Sequence, residues 1–171
     1  MADANLVSPE EYLATDYKVS TEYLHGALLP KPAAKRFHAR LQLWIGSLLL
    51  QKFPGFAYSS ELICRLSASE FCLPDISVET LLSAVDNSVA TEPIYLAIEI
   101  LSPDDRFATT LSKLERYHQW GVPYCWLIDP DSRACWTFHN GAPLIPAPIA
   151  LDAGEIHLDV SAIFTILTGQ A

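Results

Sequence analysis

The stretch Ile94-Tyr95-Leu96-Ala97-Ile98-Glu99-Ile100-Leu101 constrains the fold more than any other part of the chain. An apolar run of this length reads as a strand buried on both faces. Glu99 is the one acid inside it. An ionised carboxylate taken out of water without a partner is strongly unfavourable, or it gives up its charge. Glu99 therefore needs a cation, a metal ion or a proton. A second acid, Asp75, opens another short strand, Asp75-Ile76-Ser77-Val78, and Lys113 follows on a predicted helix. Two carboxylates and a lysine are the minimum equipment for metal-assisted phosphodiester hydrolysis.

The chain has 171 residues, half of them hydrophobic and only 18% charged. That is ample for a core and argues against disorder. One domain over residues 1–171 is expected, with its core at about 20–140. The apolar stretches are too short to span a bilayer. Met1-Ala2-Asp3-Ala4-Asn5 lacks the basic and apolar regions of a secretion signal. A cytoplasmic protein with no membrane partner is the expectation. Cys64, Cys72, Cys125 and Cys135 include no Cys-x-x-Cys pair and are expected to be buried free thiols. The histidines, His25, His38, His118, His139 and His157, show no helical ligand spacing.

A net charge of −9 counts against a broad basic surface for nucleic acid. Lys31, Lys35, Arg36 and Arg40 nevertheless cluster at the start of a predicted helix. They form either a solvated helix face or a local positive patch, with Lys35, Arg36 and Arg40 as candidate nucleic-acid contacts.

Along the chain, Ser8-Pro9-Glu10-Glu11 starts a short helix, with Ser8 capping and Glu11 completing a capping box. Gly26, between the apolar segments of residues 21–29, predicts a hairpin ended by Pro30 and Pro32. Phe37, Leu41, Trp44, Ile45, Leu48 and Leu49 recur at helical spacing, and Pro54-Gly55 stops that first long helix. One strand near Ser60 to Leu66 follows, then a turn, then Leu73 to Val78. A loop from Leu82 to Pro93 leads to the Glu99 strand. Ser102-Pro103-Asp104-Asp105 supplies capping residues for a second long helix ending at Gly121. On it Leu111, Leu114, Tyr117 and His118 form a stripe. Lys113 lies beside the stripe, its stem able to cover the sheet while its amine reaches past the edge. Strands Tyr124 to Asp129, Ala134 to His139 and Ile156 to Val160 come next, and Ser161 caps a last helix through Leu167. This order predicts an α/β (α+β) fold. A mixed central sheet carries a long helix on each side, preceded by a small helix and a hairpin.

On the strand after Pro74, Asp75, Ser77 and Glu79 share one face, and Ile76 and Val78 the other. If this strand pairs with the one carrying Glu99, the two acids converge and repel unless a proton or cation intervenes. A hard divalent ion, Mg²⁺ or Mn²⁺, suits such oxygen ligands.

Pro74-Asp75, Glu99 and a following lysine resemble the PD-(D/E)XK nuclease superfamily, whose restriction-endonuclease-like core has the element order just described. More specifically, the chain resembles a family of restriction-endonuclease-like proteins. The likeness lies in Glu99-Ile100-Leu101-Ser102-Pro103, in Lys113 with Tyr117, and in Gly121-Val122-Pro123-Tyr124-Cys125-Trp126-Leu127-Ile128-Asp129-Pro130. Glu22-Tyr23-Leu24-His25-Gly26 and His38 match a family hairpin and helix histidine. The likeness covers about residues 8 to 167. It implies a metal-dependent endonuclease acting on DNA, with Asp75 and Glu99 as metal ligands and Lys113 as active-site lysine. It makes Glu22 an auxiliary acid that ligates metal or positions the lysine. By analogy it implies a homodimer. The chain departs from the pattern in three ways. Leu101 stands where the superfamily usually has its lysine, Thr109 and Thr110 stand where an acid often precedes Lys113, and the net charge is acidic.

The structural alternatives are an ion pair of Glu99 with Arg106, Lys113 or Arg116, and a turn role for Asp75 after Pro74. At the level of function, two alternatives stand beside the DNA nuclease. One is a catalytically inactive nuclease-like fold serving as a binding or assembly module, favoured by the charge, by Leu101 and by Trp120 and Trp136 as exposed aromatics. The other is a hydrolase of RNA or another phosphodiester.

Overall fold

The computed structural model describes residues 6–31, 35–81, 89–103, 105–139 and 144–165. The expectations for Met1–Asn5, Pro32, Asp104, residues 82–88 of the loop before Pro93, and the end of the last helix at Leu167 lie outside these residues. The elements in chain order are α1 (Pro9–Ala14), β1 (Thr21–Leu24), β2 (Ala27–Pro30), α2 (Arg36–Lys52), β3 (Phe56–Ser60), β4 (Ile63–Ser67), β5 (Glu70–Cys72), β6 (Ile76–Thr80), β7 (Val89–Ala90), β8 (Leu96–Ile100), α3 (Phe107–Trp120), β9 (Tyr124–Asp129), β10 (Ala134–His139), β11 (Ile145–Pro146), β12 (Ala150–Ala153), β13 (Ile156–Asp159) and α4 (Val160–Phe164).

The main sheet has six strands in the order β11-β10-β9-β8-β6-β3. Strands β8 and β9 pair in parallel, with Glu99 opposite Leu127, while β6 and β8 pair antiparallel. Parallel neighbours need a crossover, and α3 makes it. Alternation along the strands gives the sheet two apolar faces. Ile76, Val78, Leu96, Ile98 and Ile100 pack with Leu41, Ile45 and Leu49 of α2 and with β12 and β13. Ala97, Cys125 and Leu127 pack with Leu114 and Tyr117 of α3. The mixed sheet with a long helix on each face matches the sequence expectation. So do the short helix capped by Ser8, whose Oγ accepts from the Glu11 amide at 3.1 Å, and the four buried free thiols.

A second sheet, in the order β2-β1-β5-β4-β7, was not expected. Its strands are short, so their alternation is too brief to read, and β1–β5 and β4–β7 pair across long gaps in sequence. Tyr12, Tyr23 and Phe71 fill the space beneath it. The single strand expected near Ser60 to Leu66 is two strands in different sheets. Glu61 breaks it with a left-handed φ of 53°. Strand β7 falls within the expected loop, and β11 and β12 add to the strands after β10. The last helix is capped at Asp159 rather than Ser161. At the start of α3 the N-cap is Arg106, without a side-chain cap. Asp105 instead accepts from the Ser102 amide at 2.7 Å, closing the preceding turn. Trp120 and Trp136 are half-buried against the α3-side core rather than exposed, and Phe107 packs edge-on to Trp136. No described helix is long and apolar enough to cross a membrane.

Candidate active site

The β6–β8 register brings the acids together. Ile76 lies opposite Ile98, so one step outward Asp75 faces Glu99. Both side chains point to the α3 face, and both are buried. A one-residue slip would have turned one of them into the α2-side core. Asp75 Oδ2 accepts from the Ile100 amide at 2.8 Å, which ties the two strand ends to each other.

Lys113 completes the centre from α3. Its Nζ lies 2.9 Å from Glu99 Oε1 and 2.5 Å from Glu22 Oε1, and donates to the Leu73 carbonyl at 3.1 Å. The amine does not reach past the sheet edge to water, as its position beside the apolar stripe suggested. It turns inward, because Glu99 and Glu22 wait there unneutralised. Glu22 arrives on β1. The β1–β2 hairpin turns through His25 and Gly26, both at positive φ, as a tight two-residue turn requires. Glu22 Oε1 also accepts from the Leu73 amide at 3.0 Å. Of the three cations offered as structural partners for Glu99, Lys113 is the one in place. Arg116 pairs with Glu70 at 2.7 Å instead.

Four groups around this centre escaped the sequence reading in this role. Lys31, counted there with the basic cluster, reaches back to Asp75 Oδ1 at 2.7 Å and to the Leu73 carbonyl at 3.0 Å. Tyr117, assigned to the apolar stripe, donates its hydroxyl to Glu99 Oε1 at 2.8 Å. Ser102, counted among the helix-capping residues, lies with its Oγ 3.0 Å from His38 Nδ1. His38 Nε2 is 3.5 Å from Asp75 Oδ1. Glu61 lies 4.0 Å from Lys31 and accepts from the Ser20 hydroxyl. One signal was available: a helix residue four positions after Lys113 shares its face, and Tyr117 carries a polar tip. Lys31 gave none, since its contact spans the chain from β2 to the start of β6.

These groups line a cleft of about 300 Å³ that includes Glu22, Lys31, His38, Asp75, Glu99 and Lys113. Leu101 contributes no amine and packs against the α3-side core, while Thr109 and Thr110 line the cleft. Lys35, Arg36 and Arg40 stay exposed at the start of α2.

Environment drives the two central acids apart. Burial raises Asp75, but the His38 hydrogen bond and the Lys31 ammonium overcome it and hold the carboxyl well below the usual range. Burial pushes Glu99 up to about 7; Lys113 pulls it back and Asp75 adds to the rise. Lys113 is held above the usual lysine range. Burial opposes this, but Glu99 and Glu22 outweigh it. One ammonium facing several carboxylates keeps its proton, and Glu99, where burial outweighs the nearby cation, ionises above Asp75, where the hydrogen bond and cations outweigh burial.

The donor set fits a hard divalent ion. All recorded partners of Glu99 and of Glu22 fall on Oε1. Among the described residues their Oε2 atoms therefore keep free lone pairs. Among the described residues no group of three or more His, Cys, Asp or Glu is placed to hold a metal ion. Mg²⁺ does not require one, since it binds through one or two carboxylates and keeps its waters.

The family model described as "Uma2: Putative restriction endonuclease" matches residues 9–159. The fold is similar to that of a protein from Anabaena variabilis described as "a putative nuclease belonging to DUF820". The TM-score is 0.82 and the identity 24%, over 94% of this chain and 99% of that one. No curated protein matches. The family description supports a nuclease-like function, and the Anabaena structure supports the fold.

Proposed function

The chain belongs to the Uma2 family of restriction-endonuclease-like proteins, and from that premise we propose that it is a metal-dependent endonuclease hydrolysing phosphodiester bonds in DNA. The observation that carries this reading is the Lys113 ammonium held between Glu99 and Glu22, on a cleft shared with Asp75. Asp75 and Glu99 would hold Mg²⁺ or Mn²⁺. Such an ion, when bound, supplies Lewis-acid polarisation of the phosphoryl group and makes water a better nucleophile at neutral pH.

The remaining work falls to the chain's own residues. Lys113 carries a fixed positive charge next to both acids. It orients the attacking water and offsets the charge that develops on the phosphoryl oxygens. Glu22 holds the lysine, and Tyr117 holds Glu99 Oε1. Ser102 fixes the His38 ring, and His38 supports Asp75. Preorganised partners of this kind set the orientation of catalytic carboxylates.

A second reading, the inactive binding module, is favoured by one observation: Asp75, Glu99 and Glu22 are each already paired with an ammonium group. Supercoiled plasmid incubated with the protein and Mg²⁺ or Mn²⁺ separates the two. The nuclease converts it to nicked and linear forms. Asp75→Ala, Glu99→Ala and Lys113→Ala each lower the rate at least 100-fold, and EDTA stops it. Intact plasmid with every divalent ion overturns the proposal in favour of the binding module, and degradation of RNA alone would redirect it to that substrate.

A further inference from the structure

Lys31 stands outside the mechanism just described, yet it makes the shortest contact to the Asp75 carboxylate. It follows β2 directly, and its backbone is anchored where its amide donates to the Ser20 carbonyl at 2.7 Å. Its Nζ sits 2.7 Å from Asp75 Oδ1 and 3.0 Å from the Leu73 carbonyl. That carbonyl also accepts from Lys113 at 3.1 Å. The two ammonium groups thus share one carbonyl oxygen. Crowding like charges at that range is unfavourable unless each has its own acid. Lys113 has Glu99 and Glu22. Lys31 has Asp75, and a second acid, Glu61, stands 4.0 Å away.

We propose that Lys31 is a tethered counterion that occupies the cation seat on Asp75 and moves to Glu61 when a divalent ion takes that seat. The inference rests on the metal-dependent reading above and deepens it by assigning the residue that sets how much metal the site needs. Both Asp75 oxygens are engaged, Oδ1 by Lys31 and Oδ2 by the Ile100 amide, and a divalent ion repels an ammonium held against the same carboxylate, so metal binding competes with the amine. The apparent affinity is then lowered by the fraction of time Lys31 covers Asp75. Displacement is inexpensive here because the receiving group is built in. Glu61 is held by the Ser20 hydroxyl, lines the same cleft, and is more open to water than Asp75. The lysine backbone need not move, since four flexible bonds carry the amine between the two acids.

Calorimetric titration of the full-length protein with Mn²⁺ alone tests this without any substrate. Lys31→Met should tighten Mn²⁺ binding by about tenfold or more, the size of the competition removed. Lys31→Gln, which keeps a donor for Asp75 and guards against a folding defect, should tighten it in the same direction. Glu61→Gln should weaken binding in the wild-type background and have no effect in the Lys31→Met background, because Glu61 acts only through the lysine. Arg116→Met removes a positive charge from the same cleft without touching Asp75 and controls for long-range electrostatics. If Lys31→Met and Lys31→Gln bind Mn²⁺ no more tightly than Arg116→Met does, while Asp75→Asn abolishes binding, the counterion role is wrong and the metal-dependent reading survives. If neither the wild type nor any Lys31 variant binds Mn²⁺, both fail together.

Discussion

At the scale of single residues, the site is built on a contrast between two acids of like chemistry. Asp75 collects cations and a backbone amide, and Glu99 lies against Lys113 and Tyr117 of α3. The contrast has a consequence for stability in the metal-free protein. Burial raises Glu99 from 4.5 to about 7, so its folded form prefers the proton. The stability this gives is complete below pH 4.5, falls as pH rises, and is lost above about 7. Asp75 has the opposite sign. His38 and Lys31 outweigh burial and lower it from 3.8, so its contribution is present above that value and lost as pH falls below it. Urea unfolding in EDTA should therefore show wild-type protein losing up to about 3 kcal/mol between pH 4.5 and 7.5. Glu99→Gln, which cannot ionise, should lack that slope. Parallel curves for the two proteins would mean that Glu99 is ionised at pH 4.5. The acids themselves were legible in the sequence because each breaks an apolar pattern. Lys31 was not, because a lysine beside prolines looks solvated until the hairpin places it against a strand more than forty residues away.

At the scale of elements, the site depends on three connections. The β6–β8 register aligns Asp75 with Glu99, the α3 crossover delivers Lys113 and Tyr117, and the β1–β2 hairpin delivers Glu22 at one end and Lys31 beyond the other. The buried strand and the helix were legible from their long apolar periods, but the β6–β8 pairing stood in the sequence only as a condition. The hairpin was legible as a hairpin, but its membership of a second sheet was not. Strands of three to five residues do not reveal their partners, and Tyr23 pairs with Phe71 across a large gap in sequence. Gly26 is where this element is most vulnerable. Its φ is +92°, and a Cβ there would stand 2.9 Å from Leu6 Cβ. Gly26→Ala should lower stability by about 1–3 kcal/mol, read from the denaturant midpoint. It should also weaken the hold of Glu22 on Lys113, so that activity falls further than the loss of folded protein explains. An unchanged midpoint would show that the turn relaxes at no cost and that the hairpin does not set the site.

At the scale of the whole molecule, the proposed DNA nuclease would be an acidic protein approaching a polyanion. With a net charge of −9, long-range attraction cannot concentrate DNA on this surface, and repulsion opposes the encounter beyond a Debye length. Any affinity must come from local contacts near the cleft. Lys35, Arg36 and Arg40 are exposed at the start of α2, and His38 of the same helix lies against Asp75. The helix thus presents its basic start beside the acids while its other face is buried by Leu41, Ile45 and Leu49. If these three side chains touch phosphates, Lys35→Gln, Arg36→Gln and Arg40→Gln combined should weaken binding to DNA of any sequence alike. The slope of log affinity against log salt should become shallower by about 0.9 for each contact removed. Fluorescence anisotropy with a labelled duplex and the cleavage-dead Asp75→Ala protein measures this without turnover. The small number of contacts predicts a shallow wild-type slope, of about −3 or less steep. A much steeper slope, or one that the triple variant leaves unchanged, would place the phosphate contacts elsewhere on the molecule and leave Lys35, Arg36 and Arg40 as an ordinary solvated helix start.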